Sequence, residues 1–194
     1  NTFDILYLGR SDLTKVTIEQ DSKLQKIGKC AFKFSKINSI CFPPSLLEIC
    51  QDAFYMCFNL STVEFPQNSN LKIIGKNAFI CAKMTEILIP SNVLQINEGA
   101  FTNCSQLQKI EIPPDSQLQT IDKNAFFQSI IQTIYLPINI SKICENAFYY
   151  CEALRKVEIP SNSKIQTIEK FAFHGSPIES LFIPEGLVEL EEGW

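Results

Sequence analysis

One histidine, His174, and eight cysteines are the residues of this 194-residue chain best suited to nucleophilic or metal chemistry. A zinc cluster or a Cys–His relay needs several such groups converging on one point. The only histidine stands beside Phe173, no Cys-x-x-Cys pair occurs, and the 21 acidic residues are spread along the chain and form no catalytic pair. Seven scattered glycines form no phosphate-cradling loop. No catalytic residue, metal site or cofactor is therefore expected, and the chain does not read as an enzyme. A net charge of -4 with only two guanidinium groups, Arg10 and Arg155, argues against nucleic acid as a partner, because neutralising phosphates takes clustered Lys and Arg. No apolar run reaches the ~18 residues that span a bilayer, so no direct membrane insertion is expected of this segment. The first residues, Asn1-Thr2-Phe3-Asp4, lack the basic-then-apolar profile of a signal peptide.

With chemistry set aside, the organisation of the chain comes to the front. At 45% hydrophobic and 20% charged residues, it is long enough and apolar enough to bury one continuous core. The dipeptide Ala-Phe recurs at Phe32, Phe54, Phe79, Phe101, Phe126, Phe148 and Phe173, in steps that alternate strictly between 22 and 25 residues. The unit is thus a doublet of 47 residues, a short and a long coil in turn, repeated about four times along residues 1–194 as one domain. Tyr7, Arg10, Leu13 and Val16 match the spacing of Phe54, Cys57, Leu60 and Val63, so Tyr7 reads as a degenerate first anchor. The next Ala-Phe would fall at the point where Trp194 ends the chain, which suggests an array cut at both ends with no polar cap, open to self-association there.

Each coil carries an apolar-x-apolar-Pro run: Ile40-Cys41-Phe42-Pro43, Val63-Glu64-Phe65-Pro66, Ile87-Leu88-Ile89-Pro90, Ile110-Glu111-Ile112-Pro113, Ile134-Tyr135-Leu136-Pro137, Val157-Glu158-Ile159-Pro160 and Leu181-Phe182-Ile183-Pro184. Val16-Thr17-Ile18 is a variant with Glu19 in place of proline. Alternation points the two flanking residues inward and the middle one outward, and proline, having no N–H, ends the pairing. Eight such strands are expected. A second apolar pair follows, as in Leu24 and Ile27 or Leu71 and Ile74, and reads as a brief second strand or turn on the return side. Long coils insert three polar residues before it, such as Gln67-Asn68-Ser69, lengthening an outer edge. The Ala-Phe segment is too short for a full helix and predicts one helical or 3₁₀ turn with the Phe buried between coils.

The combined frame, Ala-Phe-x-x-Cys-x-x-Leu-x-x-Val-x-Ile-Pro followed by Leu-x-x-Ile, resembles the BspA-like class of leucine-rich repeats and covers essentially the whole chain. The resemblance implies a leucine-rich repeat solenoid: a curved, right-handed array of coils with one parallel strand per coil and little regular helix. It also implies display at the cell surface or secretion, as in host-associated bacteria and protozoan parasites, and adhesion to host or microbial macromolecules as the usual role. Arg10 at the first Cys position, and Ser35, Ala82, Ser129 and Ser176 in the short coils, depart from the frame locally.

Cys57, Cys104 and Cys151 are two coils apart, about 10 Å at the spacing of paired strands, too far for a disulfide, which needs Cα atoms within about 7 Å. They read as buried thiols filling the coil interior, whereas Cys57 with Cys81, and Cys30 with Cys50, lie on adjacent coils within pairing reach. His174 reads as an exposed or hydrogen-bonded turn residue. Asn59, Asn103 and Asn139 each begin an Asn-x-Ser glycosylation sequon.

Outward strand positions alternate in character: Thr17, Cys41, Glu64, Leu88, Glu111, Tyr135, Glu158 and Phe182. Lys109 with Glu111, and Lys156 with Glu158, form charged rungs. A sheet face free of packing duty is normally polar, so apolar side chains on every second rung mark an interaction surface. The candidate partner-binding residues are therefore Leu88, Tyr135 and Phe182, with Glu64, Glu111, Glu158, Lys109 and Lys156 around them. The bland alternative is that β-propensity alone places Tyr, Phe and Leu in strands and that duplication copied the pattern. The function expected is a non-catalytic module that binds a protein or other macromolecule through this face. The competing readings are a self-assembling surface array and an intracellular scaffold.

Overall fold

A computed structural model describes the backbone of Thr2 and Phe3 and all of residues 12–193. Tyr7, Arg10 and Trp194 lie outside the described residues. The fold is a parallel β-solenoid with no helix among the described residues. It confirms the leucine-rich repeat array, and the apolar pair on the return side forms the brief second strand expected there.

Sixteen strands, numbered in chain order, divide between two sides of the coil. One side holds β1 (Thr2–Phe3), β2 (Lys26–Ile27), β4 (Glu48–Ile49), β6 (Ile73–Ile74), β8 (Gln95–Ile96), β10 (Thr120–Ile121), β12 (Lys142–Ile143), β14 (Thr167–Ile168) and β16 (Glu189–Leu190), hydrogen-bonded in that order as one nine-stranded parallel sheet. The opposite side holds β3 (Ser39–Cys41), β5 (Thr62–Glu64), β7 (Glu86–Leu88), β9 (Lys109–Glu111), β11 (Thr133–Tyr135), β13 (Lys156–Glu158) and β15 (Ser180–Leu181), and is split into a β3–β5 pair and a five-stranded sheet running from β7 to β15. The apolar pair on the return side thus forms the continuous sheet. Val16-Thr17-Ile18 forms no strand, so the expected eight strands on the other side are seven.

The segment around Ala-Phe is an arc of interlocked turns and not the single helical or 3₁₀ turn expected. The residues two before and two after each Phe take left-handed φ near 60°: Cys30 and Phe34, Asp52 and Met56, Asn77 and Cys81, Gly99 and Asn103, Asn124 and Gln128, Asn146 and Tyr150, Phe171 and Gly175. Two such residues in five break any helix. They also turn alternate amides out of the coil toward its neighbour. Around Phe126, Ala125 and Phe127 donate within the coil to Asp122 and Asn124, while Asn124, Phe126 and Gln128 donate to Glu145, Ala147 and Tyr149 of the next coil. A left-handed L residue costs roughly 1–2 kcal/mol, and Asn, Asp or Gly, which tolerate it best, occupy the first position in five of the seven coils.

The core is one continuous column. Phe54, Phe79, Phe101, Phe126 and Phe148 are fully buried and stack face to face, with centroids 5.2–5.4 Å apart between successive rings. Position three after Phe is small because it reaches back one coil. Cys57, Cys104 and Cys151 donate S–H to the carbonyls of Phe32, Phe79 and Phe126 at 2.9, 3.2 and 3.1 Å, and Ser129 and Ser176 make the same contact to Phe101 and Phe148. The buried-thiol reading is thereby refined, since these thiols also hydrogen-bond coil to coil. No disulfide joins any two cysteines among the described residues.

The insertion in long coils is a Pro-x-x-Ser turn whose serine points inward, not only an added outer edge. Ser69, Ser116 and Ser163 are buried, and each accepts from the amide two residues on. Stacking equivalent residues in register would also set like charges side by side, and the doublet prevents it. Lys76, Glu98, Lys123, Glu145 and Lys170 occupy one position in successive coils, so that the signs alternate, with ion pairs Lys76–Glu98 at 2.7 Å and Lys123–Glu145 at 2.8 Å.

Candidate binding face

The outer side of the seven shorter-sheet strands is the surface the coils present. Strand residues alternate exposed, buried, exposed from β3 to β9, so the middle residue of each apolar-x-apolar run faces out as expected. Leu88 in β7 is 42% exposed, and Tyr135 in β11 and Phe182 just after β15 are each 53% exposed.

The rungs are unevenly joined. Each short-coil strand is fully paired to the long-coil strand that follows: Ser39 to Cys41 on Thr62 to Glu64, Glu86 to Leu88 on Lys109 to Glu111, Thr133 to Tyr135 on Lys156 to Glu158. The next amide closes each pairing: Phe42, Ile89 and Leu136 donate to the carbonyls of Glu64, Glu111 and Glu158 at 2.8–2.9 Å. Steps out of a long coil are open. β5 and β7 form no ladder, β9 and β11 share only the Lys109–Thr133 pair, β13 and β15 share two pairs, and the equivalent bonds from Phe65, Ile112 and Ile159 are missing. Every opened step follows a strand whose coil carries the three-residue insertion, so alternating coil length alternates the fit of the rungs.

Over this face lies a groove of about 1030 Å³. Of the candidate residues, Leu88, Lys109, Glu111, Tyr135 and Glu158 line it, with Ile110, Ile112, Leu136 and Ile159 beneath and Pro113, Pro114 and Pro160 along one edge. Glu64 lies in an adjoining hollow of about 430 Å³ shared with Leu88, Lys109 and Glu111. Lys156 sits on the same face with its Nζ 5.9 Å from the Tyr135 ring centroid. Phe182, on the last rung, lines neither hollow. The proline edge and Glu86, which lines both hollows, escaped the one-residue-per-rung reading, although Pro113-Pro114 in sequence was a usable signal.

Electrostatically the groove is acidic once its internal pairs are discounted. Lys109 pairs with Glu111 and Lys156 with Glu158 within single strands, and the hydrogen bond and charge of each partner glutamate raise the lysine pKa. Glu64 has Thr62 where those glutamates have a lysine. Among the described residues neither Glu64 nor Glu86 forms an ion pair, although Glu86 faces Lys109 across the β7–β9 ladder and its charge adds to the rise of that lysine's pKa.

Away from the groove, four of the eight thiols are held inert. Burial pushes the thiols of Cys57 and Cys104 up, and those of Cys151 and Cys144 up to about 12; for Cys144 the carboxylates of Glu169 and Asp122 add to the effect. A thiolate, the nucleophilic form, is thus disfavoured in all four. His174 is half-buried among aromatic rings, 5.2 Å from Tyr149 and 5.6 Å from Phe171, and its Nδ1 is buried without a hydrogen-bond partner. His174 is the turn residue expected, hydrogen-bonded through its backbone to Phe171 and Tyr150, while its ring is held by stacking. Among the described residues no three of His, Cys, Asp and Glu are grouped to hold a metal, and no helix is long and apolar enough to cross a membrane. Asn59 and Asn103 are exposed, while Asn139 spends its side-chain amide on the Ser116 carbonyl at 2.9 Å.

The periodic frame and the two ladders find their counterpart among known proteins. The model of the BspA type leucine rich repeat region matches six copies over residues 6–117 and 72–193. The chain belongs to this family. A leucine-rich repeat protein from Bacteroides ovatus is similar over 87% of this chain and 49% of its own, at 24% identity and a TM-score of 0.65. The pneumococcal vaccine antigen PcpA is similar over 90% of this chain and 52% of its own, at 20% identity and a TM-score of 0.54. A leucine-rich cell surface protein from Faecalibacterium prausnitzii is similar over 87% and 61%, at 22% identity and a TM-score of 0.53. This BspA-type chain spans about half to three-fifths of the length of these structures, and at such identities they share its fold. A search of the curated proteins finds no match.

Proposed function

We propose that this BspA-type chain is a non-catalytic recognition module that binds a protein ligand at a cell surface through its strand face. The observation that carries the reading is the groove: Leu88 and Tyr135 stand outward on a sheet face, over a hollow of about 1030 Å³ rimmed by charged rungs. Interfaces concentrate their energy in a few aromatic and apolar anchors inside a polar rim, and solenoids bind with extended faces of this kind. Two of the structurally similar proteins are described as a vaccine antigen and a cell surface protein, which agrees with display outside the cell. Tyr135 is the central anchor, Leu88 and Phe182 extend the stripe, and Glu64, Glu111, Glu158, Lys109 and Lys156 set charge and register.

The test is a variant with Leu88, Tyr135 and Phe182 all replaced by Ser. Cross-linking of the wild-type chain to host-cell and matrix proteins, followed by rebinding of the purified partner, identifies the ligand. The triple variant is expected to keep its far-UV circular dichroism and lose at least 100-fold in affinity. Unchanged affinity would place the site off the strand face.

A further inference from the structure

Resting on the reading of the strand face as the ligand site, we infer that the groove takes a basic polyproline-II segment running along the solenoid axis, its three-residue turn in step with the 47-residue doublet. The chemistry of the face repeats every second coil. Leu88, Tyr135 and Phe182 carry the apolar contacts, Glu64, Glu111 and Glu158 the charges, and Phe65, Ile112 and Ile159 the amides freed by the opened steps. Parallel strands lie about 4.8 Å apart, so this pattern has a period of about 9.6 Å across the strands.

Few polypeptide conformations share that period. An extended strand repeats on one face every ~6.7 Å. Seven residues of α-helix rise about 10.5 Å and drift by about 1 Å at each repeat. Three residues of polyproline II rise about 9.3 Å and stay within about 1 Å of the pattern over three repeats. This conformation has no internal hydrogen bonds, so its bare carbonyls are partners for the unpaired amides of Ile112 and Ile159 in the main groove and Phe65 in the adjoining hollow. Aromatic-lined grooves suit it because the ligand is ordered before binding. Tyr135, flanked by Leu88 and the Pro113-Pro114 edge, is such a lining. The charge of the segment follows from the floor: among the described residues Lys109, paired with Glu111 and facing Glu86 across the β7–β9 ladder, is the one cation lining the groove against Glu86, Glu111 and Glu158, and Glu64 adds a further carboxylate in the adjoining hollow. A Lys or Arg at every third position keeps step with Glu64, Glu111 and Glu158, which recur once per doublet.

The probe is fluorescein-labelled (Pro-Pro-Arg)4, about 37 Å long at 3.1 Å per residue, read by fluorescence anisotropy against the purified chain. Saturable binding is expected, at least tenfold tighter than for (Gly-Ser-Arg)4, which has the same charge on a flexible backbone. Tyr135→Ser is expected to weaken it at least tenfold, and Glu64→Gln with Glu86→Gln to lower both affinity and its salt dependence, with circular dichroism unchanged. Equal affinity for the two peptides would mean charge alone and would overturn the inference, as would the absence of binding or tighter binding of a helical peptide of the same charge. A protein ligand that the triple serine variant fails to bind, found together with a silent (Pro-Pro-Arg)4, would refute the polyproline-II ligand while leaving the strand-face site intact.

Discussion

Replacing Phe126 by Ala tests whether the aromatic column holds the solenoid together. Phe126 is fully buried, with Phe101 and Phe148 each 5.2 Å away at interplanar angles of 2° and 12°. Phe to Ala in a packed core costs about 3–5 kcal/mol, and each stacked pair adds about 0.5–1.5 kcal/mol beyond buried area. With two pairs lost, Phe126→Ala is expected near the top of that range, about 4–5 kcal/mol. Phe126→Leu keeps most of the burial and loses the stacking, for about 1–3 kcal/mol. Phe127 next door is half-buried and stacks on Tyr149 alone at 5.4 Å, so Phe127→Ala is expected to cost clearly less. Urea unfolding followed by circular dichroism gives the totals. Hydrogen exchange with mass spectrometry gives their location, because coils interact with their neighbours only and the loss of protection must centre on the coils of Phe101, Phe126 and Phe148. A cost for Phe126→Ala below about 1.5 kcal/mol, or protection lost evenly from Phe32 to Phe173, would refute the nearest-neighbour column.

Left-handed positions offer a signed pair of substitutions: Gln128→Gly should stabilise by about 0.5–1 kcal/mol, since the relief of left-handed strain exceeds glycine's entropy cost, while Asn124→Ala should destabilise by about 1 kcal/mol. Both are read from urea midpoints, and equal signs would contradict the arc. Timed alkylation at pH 8 should label exposed Cys41 first and spare Cys57, Cys104, Cys144 and Cys151 until the chain unfolds, when all eight react; a mass 2 Da low per missing pair of thiols would reveal a disulfide instead. Glu48 has its pKa lowered by the hydrogen bond from Lys26, and Glu169, against the upward push of burial, by bonds from Lys142 and the Glu145 amide. Their folded-state pKa values lie below the unfolded ones, so the stability they add is full above about pH 4.5 and fades as pH falls through the folded values. The stability gap between the wild-type chain and Glu48→Gln with Glu169→Gln should accordingly be widest near neutrality and close in acid; a gap that widens in acid would reverse the assigned sign.

Much of this was legible residue by residue. The spacing of Phe32, Phe54 and Phe79 set the doublet, period-two alternation put Leu88 and Tyr135 outward, and the position of Cys57, Cys104 and Cys151 two coils apart forbade their pairing. The left-handed arc carried a readable signal in Asp52, Asn77, Gly99, Asn124 and Asn146, all two residues before Phe, but the eye takes Ala-Phe for a helical turn because turn handedness leaves no trace in apolar spacing. Ser69, Ser116 and Ser163 read as surface polar residues because a serine buried by its own turn looks the same in sequence as an exposed one.

What the amino-acid sequence by itself determined is the repeat: its two coil lengths, the inward and outward set on each rung, and the alternation of apolar with acidic positions and of Lys with Glu. These are properties of one coil copied along a line, governed by local alternation and by the absence of an N–H in proline. Only the tertiary structure decided how coils meet: the second ladder, the thiol bonds to the carbonyls of the preceding Phe, the packing of His174 on Tyr149, and the closed and open steps that shape the groove. Those contacts join residues a whole coil apart in the chain. Whether a rung closes on the next depends on a three-residue change in the turn after it, a geometric effect that becomes visible once the coils are stacked.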